Sequence, residues 1–474
     1  MSASAAGRPP GGSTGHTLSS RNPLSTGQPA LGRQHSRRAL LRSAGVLAAG
    51  AMAGGLTSCG SVRSGFAGAP PGANVLTYWN LLGGGDGVRM KDMEGVYQKA
   101  NPDVDLEAVT LTWGNPYYTK LSLATLGAQP PDVAISHLTR VPTLVSAGLL
   151  QPFAPEDLAR HGMEPEKFVQ AAIKGATIDG QIYAIPLDTH PFVMFYNTDI
   201  CEKAGLLDTD GNLTSVDGED AFIEALAKAK EASGTWGGAV ATIADTSTPW
   251  RFFFSLYGQL GGKLLMGSAP DEILEDDKAI QAASLMRRVT VEEELMPTSI
   301  DYGGAVALFA NQRSGFFFQG EWEVSTFIDA KIPFSMARFP HLLGDSYAVQ
   351  ADSHTFVMPN KNPLERERID LIFGFIRSML DQGITWGEGG HIPTWLPVQE
   401  SAEYQEIKPQ SNYADVAESA VYDPPAWFSG SGSNFEAVTG SALGGVLVGR
   451  TTPEAAVEQM KRGVSKLART ASPL

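Results

Sequence analysis

Trp79-Asn80, Ser136-His137, Asp188-Thr189-His190, Pro249-Trp250-Arg251, Glu321-Trp322 and His391 carry side chains suited to gripping a polyhydroxylated molecule. Such a ligand offers hydroxyls in several directions and apolar C–H faces. It calls for flat aromatic surfaces against the faces and carboxylate, amide or imidazole groups for the hydroxyls. Each candidate also has a plainer reading. Trp79 and Trp322 could be core residues at strand ends, and Glu321 could face solvent. His137 could be a satisfied loop histidine. Trp250 stands before Phe252-Phe253-Phe254, which reads as core. A guanidinium at Arg251 would suit a vicinal diol, carboxylate or phosphate if it entered a cleft.

Other chemistries lack their residues. No H-E-x-x-H motif or clustered Cys/His set appears, so neither a metal nor another cofactor is expected. Gly11-Gly12-Ser13-Thr14-Gly15 matches G-x-S-x-G but has neither the preceding strand nor the following helix of a nucleophile elbow. Gly83-Gly84-Gly85-Asp86-Gly87 has no Walker lysine, and Asp86 would oppose an anion, so it reads as a loop with a helix cap.

The elements that must position these groups follow from periodicity. "NVLTYWN", "DVDLEAVTL" and "PDVAIS" read as strands. Between them run two helices, one with Met90, Met93 and Tyr97 on one face and Asp86 as cap, the other opened by Asn115-Pro116. This β-α-β-α-β order predicts a parallel, right-handed sheet with ligand groups at the C-terminal strand ends. Those ends hold Tyr78-Trp79-Asn80, Thr112-Trp113 and Ser136-His137. Further on, two apolar strands are joined through Pro186 to Pro191. Helices follow near Asp220–Ala232, at Pro249–Leu260, over "PLERERIDLIFGFIRSML", and from Pro453 to Ala468. There is no internal repeat and no coiled-coil heptad.

Ser36 to Gly60 sets the location. Arg37-Arg38 precedes an apolar run of 16 residues, Ser43–Ser58, that ends at Cys59. A membrane span needs about 20 apolar residues, so this run reads as a cleaved export signal. Ser36–Arg42 resembles a twin-arginine signal. Leu56-Thr57-Ser58-Cys59 resembles a lipobox, whose cysteine is lipidated. Residues 1–35 read as a disordered leader, 36–58 as the signal and 59–73 as a tether. Residues 1–58 hold six arginines and no lysine or acid, so their removal takes the net charge from −15 down by six to −21. So acidic a chain is a poor partner for nucleic acid. The chain has 2 cysteines, Cys59 and Cys201. With Cys59 lipidated, Cys201 has no disulfide partner. About 415 residues remain, enough for two cores.

Together these segments resemble the extracellular solute-binding proteins of carbohydrate ABC importers, the class that includes maltose-binding protein. The resemblance rests on "TYWN", "PDVAISHLTRVPTLVSAGLLQPF", "GQIYAIPLDTHPFVMFYNTDICEKAGL", "RSGFFFQGEW" and "TTPEAAVEQMKRGVSKL", in that order behind the lipobox. It implies a two-lobe α/β periplasmic-binding-protein-like fold of type II. One lobe would comprise 74–187 and 354–384, the other 188–353 and 385–474. The chain would cross between lobes near Leu187-Asp188, Ser353-His354 and Ile384-Thr385. The resemblance places Trp322 against a sugar and puts Asp188 and His190 at the cleft floor. It also implies a monomer with no enzymatic activity, lipid-anchored to the outer face of the cell membrane, which closes on a sugar and delivers it to permease subunits. The alternative is a secreted glycoside hydrolase with Asp188 and Glu321 as its carboxylate pair.

Overall fold

The structure, a computed structural model, describes residue 72 and residues 74–264, 273–361 and 363–472. The leader, the export signal, Cys59 and nearly all of the tether lie outside them. No helix among the described residues is long and apolar enough to cross a membrane.

The three early strands form as Val75–Asn80, Asp105–Thr110 and Val133–His137, with helices Gly84–Ala100 and Asn115–Leu126 between them. The first strand lies in the middle and pairs parallel with both neighbours. Met90, Met93 and Tyr97 are the buried residues of the first helix. The helix starts differ from expectation. Asp86 lies inside the first turn rather than capping it, and Asn115 is itself helical after Gly114. The sheet is mixed rather than wholly parallel. His354–Pro359 returns from late in the chain and pairs antiparallel with Val133–His137, Leu150–Gln151 and Ala184–Pro186.

A second sheet is built on Asp188–Asn197, which pairs antiparallel with Ser314–Gly320, Phe334–Arg338, Val349–Asp352 and Ile392–Pro393. All ten residues of this strand are buried. A strand covered on both faces shows no polar–apolar alternation. That is why Asp188–Pro191, expected as part of a connection, is strand instead.

Each sheet carries its own apolar core. Leu187 alone separates Pro186 in the first sheet from Asp188 in the second, and Ser353 alone separates Asp352 from His354. The chain therefore passes from one sheet to the other at Leu187 and again at Ser353. The third crossing lies later than expected. Trp386, in the helix Gly383–Glu388, still packs in the first core, Ile392 joins the second, and Trp395 returns to the first. Cys201 is buried, and burial pushes its thiol up to about 12.

Candidate functional site

The single-residue crossings put groups from distant parts of the chain side by side. Asp188 is the hub. Its Oδ1 accepts the main-chain N–H of His354 at 2.8 Å and lies 3.0 Å from Nδ1 of His190. Its Oδ2 accepts the indole N–H of Trp386 at 2.7 Å and lies 2.8 Å from Nδ1 of His354. Nδ1 of His391 stands 3.3 Å from the same oxygen and 3.0 Å from Oε1 of Glu321. On its other side, Nε2 of His391 meets Asp86 at 3.0 Å. Trp386 stacks flat on His391 with centroids 4.2 Å apart.

All of these groups except Asp86 are buried. Burial works against the charge of Asp188, but His354, His190 and His391 outweigh it and hold the carboxyl well below its ordinary range. Burial, with His354 beside it, drops His190 to about 3, so that imidazole is neutral. Burial opposes a charge on His391 too, yet Asp86 and Asp188 prevail and hold it well above the ordinary value. Glu321 is pushed up to about 7 by burial, against the pull of His391. Gly390, at φ +108°, is fixed by this packing, since a Cβ there would meet the main-chain oxygen of Glu321 at 2.6 Å.

A wall of rings stands beside the hub. His190 and His354 are 4.3 Å apart between centroids, and His137 lies 5.0 Å from His354. The Tyr118 hydroxyl accepts the main-chain N–H of His137 and lies 2.9 Å from its Nδ1. Burial and the neighbouring His354 and His190 keep His137 well below its ordinary value. Trp322 stands edge-on to His190 at 6.0 Å and donates its indole N–H to Tyr302 at 2.9 Å. One face of Trp322 presses on Gly320, where a Cβ would sit 1.9 Å from the ring, and the Arg251 guanidinium lies 4.9 Å over the ring. Arg251 thus reaches the wall itself. Next to His137, a groove of about 430 Å³ runs between the two halves, lined by Tyr118, Arg140, Thr143, Trp427, Phe428 and Asn434 among others.

Asp188, His190, Glu321, Trp322, His391 and His137 are therefore gathered in one place. Other candidates depart from expectation. Trp250 is a core residue, stacked on Phe254, edge-on to Phe435 and donating to Asp423 at 2.8 Å, so it offers no open face. Trp79 packs under Lys120 on the flank of its sheet. Asn80 turns its oxygen back to the main chain of Leu82, and the Ser136 hydroxyl donates to the carbonyl of His137. Asp188 and Glu321 both face His391 rather than an open groove, which removes the geometry of a glycosidase pair. The sequence reading missed His354, Trp386 and Asp86 as members of the cluster. His354 had a signal, its place beside a crossing; Trp386 and Asp86 had none beyond residue type. The half-exposed Trp113, edge-on to His137 at 6.4 Å, is a further aromatic at the rim.

The sequence profile of a family described as bacterial extracellular solute-binding protein matches residues 96–409. A maltooligosaccharide ABC transporter solute-binding lipoprotein of Streptococcus pneumoniae is 25% identical over 331 residues, 64% of this chain and 72% of that one. An arabinooligosaccharide-binding protein of Halalkalibacterium halodurans is 27% identical over 167 residues, 34% of this chain and 35% of its own. Among solved structures, the GacH receptor of Streptomyces glaucescens, determined unliganded and with acarbose, superposes with TM-score 0.69 at 17% identity, covering 83% of this chain and 98% of that one. An ABC transporter solute-binding protein of Thermotoga lettingae, bound to α-D-tagatose, gives TM-score 0.68 at 21% identity, with 83% and 100% covered. These likenesses establish the two-lobe α/β binding-protein fold.

Proposed function

Because the chain belongs to the family of bacterial extracellular solute-binding proteins, we propose that it binds a sugar or oligosaccharide outside the cell and hands it to an ABC importer. The observation that carries this reading is the groove between the two cores, where the rings of Tyr118, Trp427 and Phe428 stand beside Arg140, Asn115 and Asn434, and where Tyr118 is bonded to His137 behind it. That mixture answers the C–H faces and hydroxyls of a carbohydrate. The names of the relatives point the same way, since they take maltooligosaccharides and arabinooligosaccharides.

In this reading the residues divide by depth. His137, His190 and Trp322, with Trp113, Tyr118 and Trp427, touch ligand. Asp188, Glu321 and His391 sit behind them and fix the imidazoles. Residues 74–187 with the returning His354–Pro359 strand form one lobe, and the sheet on Asp188–Asn197 forms the other. The lobes close on the ligand. Ser431 N–H reaches Thr139 at 3.2 Å and Thr143 reaches the carbonyl of Trp427 at 3.3 Å, contacts suited to a closed state. The protein is a monomer held on the outer face of the membrane by lipid on Cys59 after twin-arginine export. The lipobox-like Leu56–Cys59 and the lipoprotein name of the pneumococcal relative support the anchor.

Calorimetric titration with maltooligosaccharides, arabinooligosaccharides and monosaccharides tests the reading. Saturable binding of at least one, with the sugar recovered intact, is expected. A chain that binds none of them, or returns cleaved sugar, contradicts it.

A further inference from the structure

The buried cluster at the crossings has the makings of a metal centre, which no sequence motif announces. Asp188 and His190 come from one sheet, His354 from the other, and His391 from the segment just before Ile392–Pro393. One donor atom from each of the four lies within 4.8 Å of the other three. The Nδ1 atoms of His354, His190 and His391 stand 2.8, 3.0 and 3.3 Å from the oxygens of Asp188. Donors bound at about 2.0–2.1 Å around a tetrahedral zinc ion are roughly 3.3 Å apart, so His354 and His190 would draw back slightly from Asp188 as the ion entered.

The surroundings of His391 are strongly negative as well. Nε2 of His391 is engaged by the Asp86 carboxylate. The opposite nitrogen, Nδ1, faces one oxygen of Asp188 and one of Glu321, yet it makes no hydrogen bond. Both oxygens of the fully buried Glu321 are likewise without a hydrogen-bond partner. Two buried carboxylates converging on one side of His391 call for a positive charge between them, which a protonated His391 or a bound cation supplies. A carboxylate on the far nitrogen of a histidine is also the usual outer support of a metal-bound imidazole. Trp386 adds a second such support through its bond to Asp188.

We infer that Asp188, His190, His354 and His391 form a site for one zinc-class divalent ion, which ties the two sheets together where the chain crosses between them. Three imidazoles and a carboxylate are borderline donors that suit zinc and its neighbours rather than calcium or magnesium. The inference is independent of what the groove binds.

The test uses the chain purified without a histidine tag, stripped with chelator and dialysed. Zn²⁺ is titrated by calorimetry, and bound metal per chain is counted by mass spectrometry. One equivalent is expected, with a rise in melting temperature. His354→Gln and His391→Gln should each weaken uptake by on the order of 100-fold. No saturable uptake by the wild-type chain overturns the site, as does equal uptake by both variants. Should a variant fail to fold, Co²⁺ on the wild-type chain decides the matter. Intense visible bands of a tetrahedral ion support the site, and the weak bands of an octahedral one refute it. Because the readout is metal, a failure to bind sugar leaves this result untouched.

Discussion

Two tryptophans separate binding from folding at the scale of single residues. Trp322 is half-buried at the wall of the site, with Arg251 over its ring. Trp322→Ala should weaken carbohydrate binding by about 2 kcal/mol, roughly 30-fold, while the chain still unfolds cooperatively. Trp250, packed between phenylalanines, should instead cost about 3–5 kcal/mol of stability when truncated. Calorimetry and denaturant melts on the two variants check the pair, and a reversed pattern contradicts it. Type and spacing could not tell these residues apart, because both follow short polar turns next to apolar runs. What distinguishes them is which strand or helix lies over the ring, and that is decided by distant sequence. Glu94 yields a pH prediction. Burial pushes its carboxyl up to about 7, against a weaker pull from Lys91. Its folded value lies above its unfolded one, so its contribution to stability is full below about pH 4.5 and is lost as pH rises through about 7. Glu94→Gln should therefore stabilise the chain at pH 8 by about 1–2 kcal/mol, discounted for partial exposure, and do little at pH 4. Denaturant melts at the two pH values read this directly, and no gain at pH 8 would contradict it.

Among the elements, the amphipathic ones were legible and the doubly buried ones were not. The Met90–Tyr97 face and the last helix, Pro453–Ala468, carry a 3.6-residue period, and both form where that period places them. The Asp188–Asn197 strand has no such signature, and Pro186 before it with Pro191 inside it suggested a connection. The late crossing escaped for a related reason. Trp386 is held in the first core by its bond to Asp188, a partner 198 positions away. The segment that follows it is demanding. Gly390→Ala would place a methyl 2.6 Å from the Glu321 carbonyl at a strained φ. It should cost about 1–3 kcal/mol and weaken carbohydrate binding by displacing His391. Gly374 is the control, since it lies in the helix Arg366–Asp381 with nothing within 4 Å of its missing Cβ. Gly374→Ala should gain about 0.5–1 kcal/mol. Thermal melts of the two variants should move in opposite directions, and a neutral Gly390→Ala would mean that the segment yields easily.

For the whole molecule, the two-core plan was legible because the order of several soft segments survives where each alone is uninformative. The cluster around Asp188 was not legible, since its members lie as far apart in the chain as Asp86 and His391 and only the crossings bring them together. The same crossings underlie the proposed mechanism. A few strands link the halves, so a ligand touching both favours the closed arrangement by the difference in its affinity for the two states. Moving such an equilibrium from 1:99 to 99:1 takes about 5.5 kcal/mol of differential binding. Small-angle X-ray scattering of the chain, without and with a saturating amount of the saccharide selected by calorimetry, tests this most directly. The account predicts a smaller radius of gyration in the presence of ligand, reversed on its removal, with the saccharide chemically unchanged. An identical scattering curve at saturation would contradict closure as the signal read by the importer.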